Sequence, residues 1–219
     1  MALLTFPHWE TISTEMKEVL HAIGKQPFTR RFYLAGGTAL ALQIGHRRSV
    51  DLDFFSSTDE VGVSTRQEII QTLSPLSPQV IENTGGNLLL IIHGVRTGFF
   101  GYGYPLVDET VELENSLLAS LADIGLMKCD AVISRGSRKD FCDLFYIAMQ
   151  IPLPDLLDLS TRKFPQFRDF PLMFLESMIL FDQADQDVQL GLRDDLPWDE
   201  IKQFYLQQFE LLSHKWFGD

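Results

Sequence analysis

Leu34-Ala35-Gly36-Gly37-Thr38-Ala39-Leu40, followed by Arg47-Arg48-Ser49-Val50-Asp51-Leu52-Asp53-Phe54-Phe55, is the stretch on which the reading of this chain turns. Arg31 to Ala35 is a β-type run broken by the double glycine. Thr38 then reads as the N-cap of a helix over Ala39 to Ile44, which Gly45 closes. Val50 to Phe55 alternates carboxylate and apolar side chains at period two, the pattern of a strand with one wet face. A strand, two glycines and a helix start together direct main-chain N–H groups and the positive helix end at one point, which suits a phosphate. Glycine belongs there because a Cβ would hold a ligand away from the backbone.

On such a strand Asp51 and Asp53 share a face, roughly 6–7 Å apart from the rise per residue. Like charges so placed repel unless a cation or a proton lies between them. Mg²⁺ bridging both to a triphosphate meets that need, because Mg²⁺ combines a few carboxylates with phosphate oxygens. The plainer reading is a solvated strand face after a glycine turn. Aspartate is unfavourable in strands, however, and a pair of them beside a phosphate-shaped loop points to function.

Outward from this centre, Trp9 to Ile23 places Trp9, Ile12, Met16, Val19, Leu20 and Ile23 at helical spacing before Gly24. Ser64 to Leu73 reads as a helix capped by Ser64. Gln79 to Glu82, Leu88 to Ile92 and Val95 to Phe100 are strands joined by glycine turns, and Val107 to Glu114 alternates as one more. After Asn115 the pattern is helical throughout: Leu121 to Ser134, Arg138 to Gln150, Asp155 to Lys163, Asp169 to Asp182 and Trp198 to Trp216. The expected architecture is a mixed α/β (α+β) core over 1–115 and an all-α domain over 116–219.

The 219 residues carry 18 basic and 30 acidic side chains, a formal charge of 18 − 30 = −12. At 45% hydrophobic and 22% charged the composition is that of a folded chain, not a disordered one. So acidic a balance argues against a general nucleic-acid coat, while leaving room for a local basic site. Met1 to Pro7 lacks the basic start of a signal peptide, and no apolar run approaches the ~20 residues of a membrane span. Cys129 and Cys142 read as buried, reduced thiols. The expectation is a cytoplasmic protein without a membrane partner.

The second half holds its own chemistry. Leu121, Ile124, Gly125, Lys128, Ala131 and Val132 form one helix stripe that is apolar except for Lys128. An ammonium buried without a partner costs several kcal/mol, so the lysine is expected to face carboxylates or a phosphate, the alternative being a side chain that snorkels at the helix edge. Asp140 and Asp143, three residues apart, sit on one helix face and can meet one target. Arg135, Arg138 and Lys139 concentrate positive charge, either as a solvated loop or as contacts to a triphosphate or an RNA backbone. Phe99-Phe100-Gly101-Tyr102-Gly103-Tyr104 reads as a base-stacking segment, a packed edge or a patch facing a partner protein. Phe164, Phe167, Phe170, Phe174 and Phe181 read as core of the helical half.

Gly36-Gly37-Thr38 followed by Asp51-Leu52-Asp53 resembles the signature of the DNA polymerase β-type nucleotidyltransferase superfamily. Arg47 and Ser49 ahead of the aspartates make it similar to the AbiEii/AbiGii toxin branch. The blocks Ala122–Ala131, around Lys128, and Arg135–Leu144, with Lys139-Asp140 and Asp143, look like that branch's later motifs. The resemblance implies an NTP as substrate and Mg²⁺ or Mn²⁺ on Asp51 and Asp53. It implies phosphate contacts from Gly36, Gly37, Thr38, Arg47, Ser49, Arg135 and Lys139, and phosphate-charge stabilisation by Lys128. Asp140 or Asp143 would complete the metal shell or accept the acceptor's proton, in a cleft between the two domains. The implied reaction is transfer of NMP to an acceptor hydroxyl, RNA or tRNA, by a toxin with a cognate antitoxin. Many superfamily members place a third carboxylate on a following strand, whereas 83–107 contains no Asp or Glu. Asp108, Glu109, Asp140 or Asp143 would have to replace it. The rival readings are a nucleotide- or partner-binding protein with reduced catalysis and a phosphotransferase using the same pocket.

Overall fold

The computed structural model describes residues 2–188 and 191–217. The chain divides into two compact units, Met1–Ser120 and Leu121–Asp219.

The first unit is built on strands β1 (Ala2–Leu3), β2 (Tyr33–Leu34), β3 (Asp51–Ser56), β4 (Gln79–Thr84), β5 (Asn87–Ile92), β6 (Val95–Gly101), β7 (Val111–Leu113) and β8 (Ser116–Leu118). They form one mixed sheet in the order β1-β7-β8-β2-β3-β6-β5-β4. β3 runs parallel to β6 and antiparallel to β2, so it lies in the interior of the sheet. Its period-two pattern explains its two faces. Leu52 and Phe54 are buried, and Phe54 stacks on Phe99 of β6 at 5.2 Å between ring centres. Phe28 and Phe32 meet Phe99 edge-on at 5.7 and 5.5 Å, closing an aromatic core beneath the sheet. Asp51, Asp53 and Phe55 are left on the opposite face, half-exposed.

Helices α1 (Thr14–Gly24), α2 (Gly36–Ile44) and α3 (Val63–Thr72) complete this unit. Three local expectations are corrected. The first long helix begins at Thr14, not Trp9, because the Ser13 hydroxyl accepts the Met16 N–H and caps it there. Thr38 is not an N-cap: α2 already starts at Gly36, and the Thr38 side chain turns inward. α3 starts at Val63 after Gly62 as N-cap, so Ser64 lies inside the helix. Two strands are also added: Ala2–Leu3 pairs parallel with β7, and Ser116–Leu118 pairs antiparallel with β7 and, through Leu118, parallel with Leu34 of β2. Residues directly after Asn115 therefore belong to the sheet.

The second unit comprises α4 (Leu121–Ser134), α5 (Arg138–Ala148), α6 (Leu153–Asp158), α7 (Ser160–Lys163), α8 (Phe170–Ser177), α9 (Asp182–Gln186) and α10 (Trp198–Phe217). Phe141 is its aromatic centre, with Tyr205 at 5.1 Å, Phe181 at 5.3 Å and Trp198 at 5.9 Å. The Tyr205 hydroxyl, buried with that ring, donates to the Phe141 carbonyl at 2.8 Å. Phe164, Phe170 and Phe174 are core, as the phenylalanine spacing predicts, but Phe167 is 46% exposed. Cys129 and Cys142 are buried, and burial pushes the Cys129 thiol far above its usual range, so that thiol is not poised for reaction.

Candidate active site

In the first unit, local backbone chemistry brings the glycine pair to the aspartates. The Ala35 N–H donates to the Asp53 carbonyl at 3.0 Å, tying the entry of α2 to β3. Gly36 then takes φ +66°, which only glycine adopts at little cost, and the helix begins at once. No side chain caps this helix and its first turn holds no acidic residue. Its first N–H groups and its positive end are thus open to an anion beside Asp53. A Cβ at Gly36 would lie 3.8 Å from Asp53 Oδ2, so the cradle and the carboxylate are in contact range.

Gly37 has a different task. A Cβ there would collide with the guanidinium of Arg47, which lies across the glycine. Thr38, buried, donates its hydroxyl to the Asp51 carbonyl and is hydrogen-bonded to the Ser49 hydroxyl at 2.8 Å. The Thr38 and Ser49 hydroxyls thus pin the segment entering β3, leaving the Thr38 main-chain N–H as its means of touching a phosphate.

Asp51 and Asp53 lie on one face of β3, with side chains 32% and 29% exposed. The register of β3 with β6 sets Arg96 beside Asp51 and Gly98 beside Asp53. Arg96 Nη1 stands 3.8 Å from Asp51 Oδ2 and 3.9 Å from Asp53 Oδ1. These are loose ion pairs between half-open groups, each worth at most about 1 kcal/mol. Two hard anionic oxygen donors, open enough to admit phosphate oxygens, fit an ion of the Mg²⁺ type. Among the described residues no group of three or more His, Cys, Asp or Glu side chains could hold a metal. The protein would supply two carboxylates, and the nucleotide would supply further oxygens. Of the residues weighed as a third ligand, Asp108 and Glu109 lie in the exposed segment between β6 and β7, where the Asp108 carboxylate accepts the Glu109 N–H at 2.8 Å.

In the helical unit the second constellation assembles around Lys128. Its ammonium lies 2.9 Å from Asp140 Oδ1 and 2.7 Å from Asp143 Oδ2, with both carboxylates fully buried. Arg135 adds Nε to Asp140 Oδ2 at 2.7 Å and Nη2 to Oδ1 at 2.8 Å, and the Ser137 hydroxyl donates to Oδ2 at 2.5 Å. Burial would raise the Asp140 carboxyl. The Arg135 hydrogen bonds, the Lys128 and Arg135 charges and Ser137 outweigh it and hold the group well below the usual carboxylate range. The expected meeting of Asp140 and Asp143 on one target is therefore realised on Lys128.

Beside this cluster is a hollow of about 410 Å³ lined by Arg135, Ser137, Arg138, Lys139, Asp187 and Val188. Arg138 is largely committed to the fold: its N–H donates to Asp187 at 2.7 Å and its Nε to the Ala184 carbonyl at 2.9 Å. Lys139 is exposed. The aromatic segment is a packed row, with Phe55 5.2 Å from Phe100 and 5.5 Å from Tyr102. Arg96 is the site residue that sequence reasoning passes over. The available signal is that it is the only Lys or Arg in 83–107, on a strand next to the aspartates.

The profile of the AbiEii family, described as nucleotidyl transferase AbiEii toxin, type IV TA system, matches residues 18–114, which span the glycine cradle and both aspartates. A relative from Aquifex aeolicus (strain VF5), itself uncharacterized, is 32% identical over 200 residues, covering 89% of this chain and 94% of its own. The first unit thus carries an AbiEii-type nucleotidyl transferase domain. Among solved structures this chain is similar to MenT4, a nucleotidyltransferase toxin of Mycobacterium tuberculosis H37Rv, at TM-score 0.53 and 15% identity, covering 89% of this chain and 83% of that one. A nucleotidyltransferase-described structure from H. pylori matches at TM-score 0.51 and 18% identity over 91% and 93% of the two chains. These likenesses establish the shared fold, a mixed α/β sheet followed by helices. The chain is thus a nucleotidyltransferase of the toxin type, a match that implies an NTP as substrate and a cognate antitoxin as partner. No helix among its described residues is long and apolar enough to cross a membrane.

Proposed function

We propose that this chain transfers a nucleoside monophosphate from an NTP to a hydroxyl of RNA, tRNA included, in the cytoplasm, with Mg²⁺ or Mn²⁺ on Asp51 and Asp53. One observation carries the reading: two half-exposed carboxylates on one strand face, beside an uncapped helix start at Gly36. The main-chain N–H groups of Gly36, Gly37 and Thr38 receive the β- and γ-phosphates, helped by the positive helix end. Arg47, packed across Gly37, supplies a guanidinium for phosphate oxygens, while Ser49 keeps the strand entry in place. Asp51 and Asp53 accept only, so they orient the divalent ion and cannot themselves donate a proton to the leaving pyrophosphate. The bound ion supplies neutralisation of phosphate charge during in-line displacement.

In the helical unit Asp140 and Asp143 fix the position of the Lys128 ammonium, the charge assigned to phosphate stabilisation. A carboxyl held as low as Asp140's is a poor proton acceptor near neutrality, which favours positioning over general-base work for that residue. Arg135 and Lys139, at the hollow, suit the phosphates of an RNA backbone.

Label transfer tests the reaction. Incubated with tRNA, Mg²⁺ and NTP labelled at the α-phosphate, the full chain should label RNA, and Asp51→Asn and Asp53→Asn should each lower that by at least about a hundredfold, the scale of a lost electrostatic anchor. Transfer of γ-label would show a phosphotransferase, and no transfer of either label an inert binder. Either result overturns the proposal.

A further inference from the structure

We propose that Arg96 is the resident counter-cation of the Asp51–Asp53 pair, that the divalent ion displaces it, and that the released guanidinium then grips the nucleotide's phosphates. This rests on the metal reading above and adds a residue that no motif of the sequence singles out.

A single nitrogen, Nη1, is nearly equidistant from the two carboxylates, at 3.8 and 3.9 Å. It therefore stands between the like charges, in the place their repulsion requires a cation to fill. The strand pairing puts it there: parallel register aligns Arg96 with Asp51, while beside Asp53 the strand carries Gly98, whose missing Cβ makes room for the Phe100 ring. A Cβ at Gly98 would come within 3.3 Å of Asp53 Oδ1. The position on the neighbouring strand from which a third carboxylate could reach a metal thus carries the opposite charge.

The hold is loose by design of the geometry. Both distances exceed hydrogen-bond range, and the Arg96 side chain is 47% exposed, so water competes for it. A doubly charged ion with direct oxygen coordination outcompetes such a contact. The guanidinium, displaced but still anchored on β6, is a planar fork suited to phosphate oxygens. Metal and nucleotide are coupled in consequence: the metal must expel Arg96 when it binds alone, whereas with a triphosphate present the expelled arginine has a new partner.

The test measures Mn²⁺ binding to the full chain by electron paramagnetic resonance of the free ion, without nucleotide, for wild type, Arg96→Gln and Arg96→Lys. Arg96 is exposed, and circular dichroism with thermal melting verifies that each variant is folded. Arg96→Gln should bind Mn²⁺ roughly three- to tenfold tighter, the scale set by removing two exposed ion pairs, while Arg96→Lys should stay near wild type. At saturating Mn²⁺, Arg96→Gln should hold fluorescent α,β-methylene-ATP roughly tenfold more weakly than wild type, as for loss of a charged phosphate contact. Unchanged or weaker Mn²⁺ binding in Arg96→Gln overturns the counter-cation role, and unchanged nucleotide affinity overturns the transfer to phosphate. Combining Arg96→Gln with Asp51→Asn and Asp53→Asn separates the two levels. If Mn²⁺ binding survives that triple change, the metal reading itself has failed. If it vanishes while Arg96→Gln alone has no effect, only the role of Arg96 has failed.

Discussion

Lys128, Asp140 and Asp143 are out of water together, so they are stable only as a set. Removing the ammonium leaves two buried carboxylates facing each other, and Lys128→Met should lower unfolding free energy by about 3–5 kcal/mol in urea titrations. Loss of toxicity in a Lys128 variant is evidence about phosphate chemistry only where the same protein is shown to be folded. Asp140 also gives the set a pH signature. Its folded carboxyl lies below its unfolded value of 3.8, so its contribution is fully present above that pH and is lost as pH falls through the depressed native value. Acid titration of stability should therefore show a decline below about pH 4 that Asp140→Asn lacks. Of these residues, the aspartates on β3 were legible because period two states which side chains share a face. Lys128 was legible because a lone charge on an apolar stripe demands a partner. Arg96 was not: an exposed strand arginine looks like any solvated charge until the pairing of β3 with β6 gives it two carboxylates.

The elements show why short pieces are harder to read than long ones. α4 matches its sequence pattern from Leu121 to Ser134, since fourteen residues carry several turns of apolar spacing. α2 departs from its pattern by three residues at its start. Glycines are poor helix formers and threonine is a good cap, so local rules favour a start at Ala39. Tertiary bonds decide otherwise: Ala35 is tied to Asp53, and the Thr38 hydroxyl is drawn to the Asp51 carbonyl. β8 was missed because three residues carry no usable period, and its pairing with the adjacent β7 is equally short. The helix start supports a sharp prediction. Gly36→Ala has room for its methyl group, but φ +66° strains it. It should cost about 1–2 kcal/mol and lower Tm by roughly 2–8 °C in a calorimetric scan. Mn²⁺ affinity should persist there, since the carboxylates themselves are untouched.

For the molecule as a whole, alternating segments followed by unbroken helical periodicity were enough to name a mixed sheet and a helical half. The placement of β8 was not, because sheet order is a property of distant pairings. A chain of net charge −12 acting on anionic substrates has to concentrate positive potential locally, and the helix start at Gly36 with Arg47, Arg96 and the Arg135–Lys139 surface are where it does so. The claim that matters most is that Asp51 and Asp53 hold the divalent ion of nucleotidyl transfer. Anomalous diffraction from crystals of the full chain grown with Mn²⁺ and α,β-methylene-ATP measures this directly. A manganese peak about 2.1–2.2 Å from carboxylate oxygens of both aspartates, with phosphate density running toward Gly36 and Gly37, is the predicted result. Phosphate density at the glycines with no manganese on either aspartate, or manganese bound elsewhere in the chain, would contradict it.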